Sequence, residues 1–306
     1  MDNDSPAPKS LLEAVPNFSE GRSRPTLGLL AEAAGRPLLD AHADPSHHRS
    51  VLTLAGSAAQ LRSSGLSLLE TAIRCIDLRR HRGEHPRIGA LDVLPIVPLG
   101  EATMERAVRL AISLAEEIGV RHSIPVFLYG EADAGRRTLP QIRQGGLRGL
   151  AGRLTRGEIR PDYGPGALHP SAGGIAVGAR RPLIAFNVNL DTSKVGIARA
   201  IAGRMRTSGG GLPALRAIGV RQDDPAGRRV HAQVSMNLLD WRRTSLADAF
   251  RRVLVEAGAA GTGVVHSEIV GLVPRAATWP GMEMEIALRE PARTIEGVYQ
   301  SVVKPA

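Results

Sequence analysis

LIAFNVNL, residues 183–190, alternates residue by residue: Ile184, Phe186, Val188 and Leu190 form one row, and Asn187 and Asn189 stand on the other. A period of two predicts a β-strand buried on one side and polar on the other. Immediately after it, Val195, Ala198, Ala202 and Met205 recur at helical spacing, and Gly209, Gly210 and Gly211 end that helix. A strand around 213–221 follows. In HAQVSMNLL, Val230, Ala232, Val234, Met236 and Leu238 fall on one side, with His231, Gln233, Ser235 and Asn237 on the other. Thr244 is placed to cap a helix carrying Leu246, Phe250, Val253, Leu254 and Ala257, and VVHSEIVGLV at 264–273 closes the half as a strand. The order is strand, helix, strand, strand, helix, strand.

Working back toward the N-terminus, the same order recurs. Strands are predicted at about 11–17, 37–43, 49–55 and 91–97, with helices near 25–34 and 57–78. A helix at 103–119 and a strand at PVFLYG are appended. The βαββαβ pattern in each half predicts an α+β protein of two ferredoxin-like subdomains, residues 11–181 and 182–306, behind a loose tail at 1–10. Each subdomain would be an antiparallel sheet with helices on one face. The other face is polar in both halves, through Asp40, His42 and Asp44 in the first and Asn187, Asn189, Gln233 and Ser235 in the second. Two such faces turned toward each other would form a polar cleft; two solvated faces fit the pattern equally. The Gly-, Arg- and Pro-rich stretch 144–174 is expected to be a long connection.

Composition narrows the function. Lys and Arg number 39 against 30 Asp and Glu, a net charge of +9, which favours anionic partners. Aromatic residues make up 3%, too few to form stacking platforms for single-stranded nucleic acid. Cys75 is the only cysteine, so disulfides within the chain and multi-cysteine metal sites are excluded, and its place in LLETAIRCIDL suits a small buried hydrophobe. No apolar run is long enough for a membrane span, and MDNDSPAPKS lacks the cationic-then-apolar form of a signal peptide, which predicts a cytoplasmic protein.

Three clusters could carry chemistry. HRGEHPRIGALDVLP, from His81 to Pro95, sets His85 between Glu84 and Pro86 on a helix-to-strand loop, with Arg82 and Arg87 nearby. An imidazole titrating near neutrality can take and return a proton, though a solvated or structural role is the commoner fate of a loop histidine. LLDAHADPSHHRSVLTLAG at 38–56 holds Asp40, His42, Asp44, His47, His48 and Arg49. Same-face strand side chains lie about 6.5–7 Å apart, wide for three ligands of one ion, so no metal is expected, and hydrogen bonding to a substrate or a structural turn network is preferred. PDYGPGALHPSAGG at 161–174 has glycines that permit close backbone approach to a ligand, or simply link domains. No nucleotide-phosphate motif is present.

Taken together these strings resemble the formimidoyltransferase family, the amino-terminal half of formimidoyltransferase-cyclodeaminase and its free-standing bacterial relatives. The matching stretches are VPNFSEGR (15–22), LDAHADPSHHRSV (39–51), GEHPRIGALDVLPIVP (83–98), LYGEA (128–132), RRTLPQIR (136–143), PDYGPGALHPSAGG (161–174), GARRPLIAFNVNL (178–190), AQVSMNLLD (232–240) and EIVGLVP (268–274). The resemblance implies two ferredoxin-like subdomains with a folate between them. It implies transfer of a formimidoyl group from N-formimidoyl-L-glutamate to tetrahydrofolate, a co-substrate, giving 5-formimidoyltetrahydrofolate and L-glutamate, a step of histidine degradation. His85 then resembles the catalytic histidine. Gly164, Pro165, Gly166, Ala167, Leu168, His169, Pro170, Ser171, Ala172 and Gly173 resemble the folate-binding loop, with Ala172 in place of a tryptophan. His42 stands where vertebrate members have aspartate, as in bacterial versions.

On this reading Arg49, Arg87 and Arg180 pair with the carboxylates of donor and folate. Asp40, His42 and Glu84 orient the imidazole or bind the amidinium, and Asn187 and Asn189 line the substrate face. A homodimer is expected. No stretch resembles the cyclodeaminase half, so a separate cyclodeaminase is a candidate partner and the second reaction is not expected. The rival readings are formyl transfer between 5-formyltetrahydrofolate and glutamate, or a non-catalytic folate- or RNA-binding protein; nucleic acid ranks low.

Overall fold

The computed structural model describes residues 11–45, 48–81, 86–223 and 230–303. Two compact units meet in sequence at Arg180 and Arg181. The first contains β1 (Leu12–Ala14), β2 (Asn17–Phe18), α1 (Arg24–Ala34), β3 (Leu38–Asp44), β4 (Arg49–Gly56), α2 (Ala58–Cys75), β5 (Leu91–Pro98), α3 (Met104–His122), β6 (Val126–Gly130), α4 (Leu139–Arg143), α5 (Gly146–Thr155) and β7 (Ile175–Ala179). The second contains β8 (Ile184–Leu190), α6 (Val195–Met205), β9 (Leu215–Asp223), β10 (Val230–Leu238), α7 (Leu246–Ala259), β11 (Val264–Val270), α8 (Met282–Glu285) and α9 (Ile295–Val303).

In the first unit β1 and β2 follow one another along a single line between β4 and β5, and β3 pairs with the outer side of β4, all antiparallel. Beyond β5 the sheet changes character: β7 runs parallel to β5, and β6 runs parallel to β7. The expected wholly antiparallel sheet is therefore a mixed one. Helices lie on both of its faces rather than one. Val126, Leu128, Val177, Leu94 and Ile96 join Leu61, Leu68, Leu110 and Leu114 of α2 and α3 in one core. The alternate residues Phe127, Tyr129, Ala176 and Val93 pack instead with Ile142 and Leu150 of α4 and α5. A strand buried on both faces shows no alternation, which is why IAVGA at 175–179 escaped a period-two reading. The ten-residue helix α5 stands inside the stretch expected to be a connection, because its glycines mask the spacing of Leu147, Leu150 and Leu154, and the five-residue α4 just precedes it.

The second unit is a four-stranded sheet in the order β11, β8, β10, β9, antiparallel throughout. Ile184, Phe186, Val188 and Leu190 pack with Ala198, Ile201 and Met205 of α6 and Leu246, Phe250 and Val253 of α7. Full burial of such side chains contributes on the order of 1.5–3 kcal/mol each. Ser245, not Thr244, caps α7, in a reciprocal arrangement with Asp248; Thr244 is buried and donates its hydroxyl to the Pro213 carbonyl at 2.6 Å. Residues past Arg275 close the same core through Ala277, Met282 and Ile286. Among the described residues no helix is long and apolar enough to cross a membrane.

Helix α6 lies directly on Gly219 of β9, where a Cβ would come within 2.1 Å of the Arg199 backbone nitrogen. Gly203, within α6, has open space at that position. Gly219→Ala should lower unfolding free energy by about 1–3 kcal/mol through overpacking. Gly203→Ala should raise it by about 0.4–1 kcal/mol through helix propensity and unfolded-state entropy. Urea unfolding of the two variants measures both signs.

Candidate active site

The polar centre of the first unit begins with a break in strand register. Asn17 pairs with Val93 and Phe18 with Leu91, which leaves Asp92 as the surplus residue of a bulge. Its neighbours Leu94 and Ile96 face the α2 and α3 core. The bulge re-aims Asp92 toward Arg49, whose row on β4 continues through Val51 and Thr53. Asp92 is fully buried. Its Oδ2 accepts from Arg49 Nη1 at 2.8 Å and from Arg143 Nη2, and its Oδ1 accepts from the Ile88 N–H at 2.7 Å. Arg49 also donates through Nη2 and Nε to Asn17 Oδ1, at 2.8 and 3.2 Å. Burial works to raise the Asp92 carboxyl, but Arg143 and Arg49 outweigh it and hold the group below the usual carboxylate range. Two guanidinium groups thus share one carboxylate.

Arg87 adds a third cation. Its Nη1 lies 2.8 and 2.7 Å from the two ring nitrogens of His81 and donates to the His48 carbonyl at 3.2 Å. The His48 and His81 rings stack with centroids 4.0 Å apart. His48 takes a left-handed backbone conformation, φ 50°, and its Nδ1 accepts from the Gly21 N–H at 3.1 Å. Glu20 Oε1, which accepts from the Arg22 and Ser23 N–H groups, stands 3.4 Å from the same nitrogen. Burial, then Arg87 and His48, push His81 down to about 4. Burial also lowers His48, with Arg22 and Arg87 adding to it and Glu20 opposing. Both rings are neutral at pH 7, so each can accept from a cationic or amide donor. Burial pushes the Tyr129 phenol up to about 12 against the pull of Arg180 and Arg143.

The glycine-rich loop has two unlike halves. Asp162, at its base, accepts from the Leu128 N–H at 2.7 Å and from Arg137. Gly164 has φ 81°, and a Cβ there would meet the Ile124 carbonyl oxygen at 2.3 Å. Gly164, Pro165, Gly166 and Ala167 are exposed. From His169 to Gly173 the chain closes on itself with reciprocal 2.9 Å bonds between those two residues. His169 Nδ1 accepts from the Ser171 and Ala172 N–H groups at 3.3 and 3.0 Å, so the ring carries its proton on Nε2. The Leu78 and Ala90 N–H groups donate to the Ser171 and Ala172 carbonyls, both at 2.8 Å, tying the loop to both flanks of the 82–85 segment. Ala172 is buried in the core.

Of the expected site residues, Arg49 and Arg87 gather at Asp92, and Arg180 reaches Tyr129 from the end of β7. Asp40 and His42 lie on the edge strand β3, opposite Thr53 and Val51, and His42 is exposed. His47, Glu84 and His85 lie outside the described residues. In the second unit Asn187, Asn189 and Gln233 form a hydrogen-bonded group with Glu268 and His266. Asp92, Arg143, Glu268 and His266 were not singled out from sequence. Each stands in a strand or helix string where one polar residue is ordinarily solvated, and no local pattern marks it otherwise. Among the described residues no group of three or more His, Cys, Asp or Glu side chains is placed to hold a metal ion.

Because the folded-state pKa of Asp92 is depressed, its contribution to stability is complete above the ordinary carboxylate value near 3.8 and is lost as pH falls below it. Asp92→Asn removes the buried carboxylate that Arg49 and Arg143 both pair with and should cost about 3–5 kcal/mol near neutrality. The gap between wild type and variant should stay level at higher pH and narrow below about pH 4, measured by denaturant unfolding across pH 3–8.

Comparison with known proteins bears on this arrangement. The family pattern described as "Formiminotransferase domain, N-terminal subdomain" matches residues 11–180, and that described as "Formiminotransferase domain" matches 185–284. A glutamate formimidoyltransferase of Streptococcus pyogenes serotype M1 is 42% identical over 270 residues, covering 86% of this chain and 89% of that protein. One from Thermoplasma acidophilum is 39% identical, covering 88% of this chain and 89% of that protein. The formimidoyltransferase-cyclodeaminase of Sus scrofa is 38% identical over 86% of this chain, which spans only 50% of that longer protein. With its arginine-ringed Asp92, its tethered loop and these matches across nearly its whole length, the chain belongs to the formiminotransferase family.

Proposed function

We propose that the protein transfers the formimidoyl group of N-formimidoyl-L-glutamate to tetrahydrofolate. The observation that carries this reading is the gathering of three guanidinium groups in the first unit. Arg49, Arg87 and Arg143 cluster around one buried carboxylate, Asp92, and both substrates are polycarboxylates. Glutamate formimidoyltransferases at 42% and 39% identity support the same chemistry. The exposed Gly164–Ala167 stretch suits close approach of a folate. The strand order in the second unit, and that of β5, β1 with β2, β4 and β3 in the first, support a ferredoxin-like reading of each.

The chemistry follows from the substrates. Nitrogen 5 of tetrahydrofolate attacks the amidinium carbon, and a C–N bond forms. That nitrogen gives up its proton, the glutamate nitrogen of the tetrahedral adduct gains one, and the old C–N bond breaks to release L-glutamate. One neutral imidazole can receive the first proton and deliver the second. His85 is our assignment for that imidazole, on the strength of its place in GEHPR between the arginine cluster's own Arg87 and the stacked His81. His85→Ala should lower turnover by about 10²–10⁴-fold while leaving tetrahydrofolate affinity within a few-fold of wild type. Steady-state kinetics with equilibrium folate binding tests this, and unchanged turnover would remove His85 from the mechanism.

A further inference from the structure

The half of the glycine-rich loop that closes on itself does so around a ring. His169 and Gly173 exchange backbone bonds of 2.9 Å in both directions, and the two N–H groups inside the turn, those of Ser171 and Ala172, converge on His169 Nδ1 at 3.3 and 3.0 Å. No other described group accepts either of them, and Ala172 is buried, so without the ring nitrogen both donors would be left unmet. The carbonyls of the same two residues serve a different neighbour. Ser171 accepts from the Leu78 N–H and Ala172 from the Ala90 N–H, both at 2.8 Å, and the Gly174 N–H donates to the Ile88 carbonyl at 2.8 Å. The fit is close: a Cβ on Gly173 would lie 2.2 Å from the Ile88 carbonyl oxygen, and one on Gly89 would lie 1.8 Å from that of Gly174. Because Ser171 and Ala172 are consecutive, with Cα atoms about 3.8 Å apart, the turn holds the two ends of the 78–90 stretch side by side.

The stretch closed in this way contains Arg87, whose guanidinium meets the His81 ring, and His85, the proton carrier assigned above. Near its far end the Ile88 N–H donates at 2.7 Å to Asp92 Oδ1, on the carboxylate that carries Arg49 and Arg143. We infer that His169 is a positioning residue: its Nδ1 sets the shape of the 169–173 turn, and the turn clasps both ends of 78–90 so that Arg87 and His85 keep the placement that transfer needs. This rests on the transfer reaction proposed above. It gives the ring a task other than touching folate, because the atom that matters is the unprotonated Nδ1 inside the turn and not the Nε2–H. A chain segment held at both ends by one preformed turn has fewer arrangements to exclude when substrate binds than a segment anchored at one end. A misplacement of about 1 Å is enough to lower a rate about 100-fold.

Three substitutions separate the two ring nitrogens. Asparagine carries an acceptor oxygen as many bonds from the backbone as Nδ1, whereas glutamine sets its amide N–H at the reach of Nε2. His169→Ala should lower kcat about 10–100-fold while KM for tetrahydrofolate stays within a few-fold of wild type. It should also speed hydrogen exchange at the Leu78 and Ala90 N–H groups, whose acceptors the turn presents. His169→Asn should restore most of the turnover and of the exchange protection, and His169→Gln should restore neither. Thermal unfolding midpoints fix a temperature at which every variant is folded. Unchanged turnover or unchanged exchange in His169→Ala overturns the inference, as does failure of His169→Asn to restore both; rescue by His169→Gln in its place assigns the ring to folate contact instead. In each of those cases a wild type that transfers the formimidoyl group leaves the proposed function standing. Wild type that transfers none overturns that function, and the exchange measurements, which need no substrate, still decide whether His169 holds the segment.

Discussion

A carboxylate buried in the middle of a sheet is tolerated only when its charge is matched, and at Asp92 the match comes from three separate pieces of chain. Arg49 arrives from the start of β4, Arg143 from the end of α4, and the Ile88 N–H from the turn leading into β5. Desolvating any one of these alone would be unfavourable; together they close a small network in which the ions satisfy each other. The network therefore does more than hold the strands in place. It also fixes where the Arg49 and Arg143 guanidinium groups stand, because both are held on the same carboxylate oxygen.

The same logic in reverse describes the polar face of the second sheet. There Asn187 and Gln233 donate to Glu268, Gln233 donates also to Asn189, and Asn189 ends the row against His266. In a protein with a net charge of +9, this face carries a half-buried acid held by two amides.

Much of this was legible in the sequence where periodicity speaks clearly. LIAFNVNL and HAQVSMNLL gave both their strands and the identity of their polar rows, because a half-buried strand prints its environment in alternate letters. IAVGA did not, since burial on both faces removes the alternation, and the parallel sheet edge that it creates went unread with it. The helix at 146–155 was hidden by glycines that serve as caps and close contacts, among them Gly145 with φ 76°. Arg49 and Arg87 were identifiable as anion-binding candidates, but the carboxylate that Arg49 shares with Arg143 was not: nothing in ALDVLP distinguishes a carboxylate aimed at solvent from one turned inward by a bulge.

That bulge also limits how the chain can vary in length. Because Asp92 is the surplus residue between two paired positions, removing one residue from this stretch would restore ordinary pairing between β2 and β5 and eliminate the acid from the network. Adding one would swing it to the opposite side of the sheet, among leucines. Insertions and deletions in this lineage should therefore collect at turns such as Glu131–Gly135, and the run from Ile88 to Val93 should keep its residue count.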